Sequence, residues 1–220
     1  MGPALAVAAV APVHLFHNLG KFILLRSHVD RRVLAQFGLP ALGAAALGAW
    51  GLTGLTDLPE LGAWTLFGNT FVLCPLKLVI GLSLAVFSGW ELFGRGGGIR
   101  GAPLWAGGVA SGFLGGLTGH QGAIRSAFFL GKDLPKETFI ATGAAVACAV
   151  DITRIAVYVQ LFRSLGGSIP WAVVGAGIAG AAVGLWIGRY GLHRISSEVF
   201  RRVVGVGLLI FGILLTGGVI

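Results

Sequence analysis

Charge is what this 220-residue chain has least of: 11% of its residues are Asp, Glu, Lys or Arg, and eight of these are acidic. A soluble domain is about 25% charged. With a mean hydropathy of +0.88 the chain has too little polar surface to face water, which excludes a soluble enzyme. Cysteine is equally scarce. Cys74 and Cys148 lie inside apolar runs without metal-ligand spacing, so neither a disulfide framework nor a zinc site is expected. No block of five or more basic residues occurs, although the net charge is +8; the basic residues fall between apolar runs, which reads as topology and not as a nucleic-acid footprint. No nucleophile-base pair, HExxH motif or intramembrane carboxylate pair is visible, so no enzymatic activity and no cofactor are expected.

What the chain does have is apolar length and glycine: 55% of residues are hydrophobic and 38 more are glycine. About 20 apolar residues cross the hydrocarbon of a bilayer. Seven candidate segments stand at 3–25, 33–55, 73–93, 103–131, 137–162, 169–189 and 203–219, joined by short linkers, which predicts an all-α polytopic membrane protein. The first segment has no basic stretch before it and contains His14, His17, Asn18 and Lys21, so it is read as a retained span and not as a cleaved signal.

Topology follows from the connections. The first holds Arg26, Arg31 and Arg32, the second no basic residue, the third Arg95 and Arg100, the fourth Lys132 and Lys136, the fifth Arg163, and the sixth Arg189, Arg194, Arg201 and Arg202. Seven full crossings split these charges evenly between the two sides. If 103–131 instead enters and returns on the same side, eleven face one side and one the other, as the positive-inside rule requires. Gly115-Gly-Leu-Thr-Gly-His-Gln-Gly122 places four glycines within eight residues at the middle of this segment, where a continuous helix is disfavoured. The prediction is a glycine-broken helical hairpin reaching the bilayer midplane, with its irregular backbone against protein or a water-filled cavity.

The sequence also repeats itself. At an offset of 133, Ala8, Ala11, Val13, Asn18 and Lys21 fall on Ala141, Ala144, Val146, Asp151 and Arg154. Residues 43–51 resemble 180–188, and Val79, Gly81, Leu84 and Phe87 resemble Val203, Gly205, Leu208 and Phe211. Two repeats are expected, 1–93 and 103–220, inverted relative to one another under the hairpin topology, with the site at their interface as in secondary transporters. The repeat leads one to expect a matching hairpin ahead of residue 1.

The stretch 111–130, SGFLGGLTGHQGAIRSAFFL, with Ala141-Thr-Gly-Ala, Asp151-Ile-Thr-Arg154 and the first-half counterparts 14–21 and 77–81, resembles the TauE/SafE sulfite-exporter family of bacterial membrane permeases over nearly the whole chain. Many members carry Gly-Gly-Gly where this chain has His120-Gln121-Gly122. The resemblance implies transport of a small sulfur-containing anion, sulfite or a sulfonate, across a bacterial inner membrane. It fixes neither the direction nor the coupling ion, which is open between a proton and another ion.

Within that frame the residues keep alternative readings. His14, His17, Asn18 and Lys21 share one helix face; Lys21 either meets a cavity or snorkels to the interface beside Arg26. Asp151 and Arg154, at i and i+3, either form an intrahelical ion pair or bind substrate. Arg125 lies at the start of the second hairpin arm, where it and the backbone N–H groups of 119–123 suit an oxyanion; alternatively it caps carbonyls of the break. The candidate substrate site is therefore Arg125, Arg154 and Lys21 for charge, with Asn18, Gly119, His120, Gln121, Gly122 and Asp151 around them. Lys77 is read as a snorkelling end residue. The small-residue rows Gly107/Ser111/Gly115/Gly119, Gly108/Gly112/Gly116 and Gly180/Gly184/Gly188 are read as packing faces. The competing functions are a metal-ion transporter using His14, His17 and His120, and an accessory membrane subunit without transport activity.

Overall fold

The structure is a computed structural model that describes residues 3–93, 98–164, 171–191 and 197–219. Arg95, Arg194 and the linker stretches 165–168 and 192–196 lie outside the described residues. The first span forms α1 (Pro3–Leu25) and ends in a 3-10 turn, Arg26–His28. Asp30 then caps α2 (Arg31–Val33): its Oδ1 accepts from the amides of Arg32 and Val33 at 2.8 and 3.0 Å, which satisfies two of the donors a helix start leaves open. A π turn at Leu34–Gly38 leads straight into α3 (Leu39–Thr56).

Between α3 and the next span lies an element the sequence reading did not contain. Strands β1 (Gly62–Leu66) and β2 (Asn69–Leu73) pair antiparallel, with Gly62 opposite Leu73 and Leu66 opposite Asn69. Their turn, Phe67-Gly68, has positive φ at both residues, 49° and 78°, as a two-residue hairpin turn requires. The all-α expectation is corrected to this extent. Two strands of five residues each are too short for a periodicity that separates them from the approach to a span.

The remaining elements are α4 (Pro75–Phe93), α5 (Leu104–Thr118), α6 (Gly122–Leu130), α7 (Lys136–Ser164), α8 (Trp171–Gly191) and α9 (Ser197–Thr216). Three helical stretches, Ala4–His28, Arg31–Thr56 and Lys136–Gln160, are long and apolar enough to cross a membrane, and shorter apolar helices stand at Pro75–Trp90, Trp171–Ile187 and Arg202–Thr216.

The segment 103–131 is broken where the glycines predicted, and its arms run back along each other. The amide of Ile99 donates to Ala127 O at 2.8 Å, Gly98 lies against the backbone of Gly131, and Arg100 pairs with Asp133 at 3.5 Å. The outer ends of the two arms therefore sit side by side. Both glycine rows of α5 are occupied. A Cβ on Gly108, Gly112 or Gly116 would strike the carbonyl oxygen of Phe37, Ala41 or Ala45, while Gly107 faces the Phe128 ring and Gly115 faces Gln121 and Val150. Small residues let helix backbones meet this closely. Elsewhere α1 packs on α7 and α4 on α9, the latter through Gly81 against Gly212 and Thr216.

Candidate functional site

The break between α5 and α6 places a polar cluster deep in the chain. Gly119 ends α5 in the left-handed region, at φ 83°, where a Cβ is strained; added here it would also stand 2.9 Å from Arg154 Nη1. Gly119 N donates to Gly115 O and His120 N to Thr118 Oγ1, so these two amides of the 119–123 run are already engaged within the turn. His120 Nδ1 lies 3.1 Å from Thr118 O. Ser111 Oγ donates to Gln121 O at 2.9 Å and fixes the turn to α5.

Asp151, on α7 and fully buried, is the hub. Its Oδ1 takes Arg154 Nε and Nη2, both at 2.9 Å, and Gln121 Nε2 at 3.3 Å, and its Oδ2 takes Asn18 Nδ2 at 3.1 Å. An ionised carboxylate without such partners would not persist in an apolar interior. Asn18 and Asp151 are the residues that the self-comparison superposes at an offset of 133, and here they touch. The intrahelical Asp151/Arg154 pair is formed, yet it does not exhaust Arg154: Nη2 also meets His14 Nδ1 at 3.3 Å, and Nη1 is buried without a hydrogen-bond partner. Native structures leave few such donors unsatisfied. One turn along α7, Tyr158 Oη donates to Gly116 O and ties α7 to α5.

Arg154 borders a cavity of about 600 Å³. His14, Thr118, Gly119 and His120 join it at the inner end, Lys77 stands nearer the β-hairpin, and the remaining walls, from α1, α4 and α9, are apolar. Lys77 Nζ contacts Val72 O and Gly218 O at 3.4 Å each, so it is held at the cavity's margin by two carbonyls. The sequence reading placed Lys77 as an end residue and left His14 and Thr118 out of the substrate set. Lys77 is marked only by its charge, and the reach of His14 across 140 residues to Arg154 leaves no local signal.

The expected residues thus divide. Arg154, Gly119 and His120 border the cavity, with Asp151 directly behind Arg154. Arg125, Lys21, Asn18, Gln121 and Gly122 are not among the cavity-lining residues. Arg125 Nη1 instead donates to Gln121 Oε1 at 3.3 Å and lies against Gly143, on the far side of the Gln121–Asp151 contact. His17 does not line the cavity either. Among the described residues no three His, Cys, Asp or Glu side chains gather as metal ligands do.

Residues 1–215 match the family model described as sulfite exporter TauE/SafE. The chain belongs to the TauE/SafE family. No curated protein and no solved structure matches it. Family membership makes the helical bundle of this TauE/SafE protein that of a membrane transporter of the sulfite-exporter type.

Proposed function

We propose that this TauE/SafE chain is a secondary transporter, in the export direction, for a small sulfur oxyanion such as sulfite or a sulfonate, in the inner membrane of a bacterium. The observation that carries the reading is Arg154. One of its nitrogens is buried without a partner, beside a cavity large enough for such an anion, and an oxyanion supplies the missing acceptor. Thr118, Gly119 and His14 complete that station, and His120 presents a polar ring to it.

The two halves, 1–93 and 103–220, act as inverted repeats, with α1 and α7 meeting at their shared axis. The contact between the equivalent residues Asn18 and Asp151 supports this, since a residue reaches its own counterpart only near such an axis. With the charge-rich connections on the cytoplasmic side, the cavity bordered by Lys77 and the outer parts of α1, α4 and α9 faces outward. Asp151, Gln121 and Asn18 close it from beneath. Arg125 and Lys21 receive or release the anion on the cytoplasmic side of this layer when the repeats rock. A proton gradient is the expected driving force.

The test is flux of radiolabelled sulfite in proteoliposomes, with and without a proton gradient. Saturable wild-type flux that is lost in Arg154→Ala supports the reading. Normal flux in Arg154→Ala, from protein inserted as well as wild type, refutes the site. Absence of saturable flux from folded wild-type protein refutes the function.

A further inference from the structure

The hydrogen-bonding roles around the cavity can be assigned atom by atom. A guanidinium only donates, so in its 3.3 Å contact with Arg154 Nη2 His14 Nδ1 is the acceptor, and the proton of the neutral ring resides on Nε2. A backbone carbonyl only accepts, so in the 3.1 Å contact with Thr118 O His120 Nδ1 is the donor. The Nε2 of a neutral His120 is then an acceptor. Both rings line the cavity, and among the described residues neither Nε2 has a hydrogen-bond partner. With Arg154 Nη1, buried and unpartnered behind Gly119, the inner end of the cavity, away from Lys77, has two donors and one acceptor to offer.

We infer that the site takes its oxyanion in a protonated form, a monoanion bearing one O–H, such as hydrogen sulfite. Arg154 Nη1–H and His14 Nε2–H donate to the unprotonated oxygens, and the anion's O–H donates to His120 Nε2. This deepens the proposed function and rests on it. A sulfonate, whose three oxygens all accept, sets a lone pair against the lone pair of His120. A fully deprotonated sulfite does the same. The anion's own proton stays bonded to oxygen and leaves with it, so it is distinct from any proton whose inward flow drives export.

The experiment is competition for labelled sulfite flux by the full chain in proteoliposomes, buffered mildly acid so that sulfite holds one proton. The competitors are unlabelled sulfite and methanesulfonate, a monoanion of similar size without an O–H. In wild type, methanesulfonate is expected to compete roughly tenfold more weakly, the scale of one buried hydrogen bond left unmade. His120→Ala should erase the preference, with sulfite competing more weakly and methanesulfonate, relieved of the opposing lone pair, competing no more weakly than in wild type, and His120→Gln, whose Oε1 again accepts, should restore part of the preference. A merely structural His120 would weaken both competitors together. Equal competition in wild type, or a preference that survives His120→Ala, overturns the inference and leaves the transport reading standing. The wild-type comparison decides even if a variant inserts poorly. Wild-type protein without saturable sulfite flux overturns the transport reading itself.

Discussion

Arg125 and Arg154 are joined to the same carboxylate, one through Gln121 and one directly, yet they live in different surroundings. Arg154 is fully buried, bonded to Asp151 and His14, and keeps one nitrogen unpartnered at the edge of a cavity. Arg125 is half-buried, bonded to the Gln121 amide, and turned toward Gly143. In the sequence both are lone arginines near polar residues in apolar segments. The cavity separates them: Arg154 is among the residues that line it and Arg125 is not. In the proposed cycle the two act in succession, across a layer made of Asp151, Gln121 and Asn18.

The largest expected effect is at Arg154. Arg154→Ala should abolish both sulfite flux and sulfite binding, and should lower thermal stability in detergent by about 3 to 5 kcal/mol, because it leaves the buried Asp151 without its cation. Binding that survives the substitution would break the contrast outright. Arg125→Ala should abolish flux as well. On the cavity side, however, it should leave sulfite binding within about twofold of wild type, since Arg125 does not line the cavity; flux at the wild-type rate would remove it from the cycle. Gly119→Ala should cost about 1 to 2 kcal/mol through its left-handed backbone and weaken sulfite binding by crowding Arg154 Nη1. Gly122→Ala, with nothing within 4 Å of the added carbon, should do neither. Equal stability and binding in the two alanine variants would show that the tip does not shape the site. The smallest effect belongs to Lys77→Gln. KM for sulfite should rise roughly threefold at low ionic strength with Vmax unchanged, and the difference should fade at high salt, as for a charge that steers a ligand from a cavity margin.

The helical part of the fold was legible because lipid makes apolar length the dominant signal. The expected segments 3–25 and 137–162 correspond to helices Pro3–Leu25 and Lys136–Ser164. The hairpin was legible for a second reason: four glycines in eight residues and the charge balance of the connections pointed to the same break. The strands at Gly62–Leu73 were not, since GAWTL and NTFVL on either side of Phe67-Gly68 are too short to carry a period of their own. The site was half legible. Asp151 and Arg154 declare themselves as ionised residues in an apolar segment. Spacing could not show how the guanidinium is shared: Nε and Nη2 hold Asp151, while Nη1 is buried without a partner. His14 reaches Arg154 across 140 residues, and no local pattern encodes that contact; Lys77 is held by Val72, five residues before it, and by Gly218.

The seam between α3 and α5 has a mechanical consequence. Along it, three glycines of one helix rest on the carbonyl oxygens of Phe37, Ala41 and Ala45, with no flexible side chain between the two backbones to absorb a displacement. Such a joint is stiff. A tilt of α3 is passed undiminished to α5 and so to the Gly119–Gln121 tip, in the manner of a lever whose arm does not bend. The compliance that a transport cycle needs must therefore reside elsewhere, where side chains and not backbones are in contact.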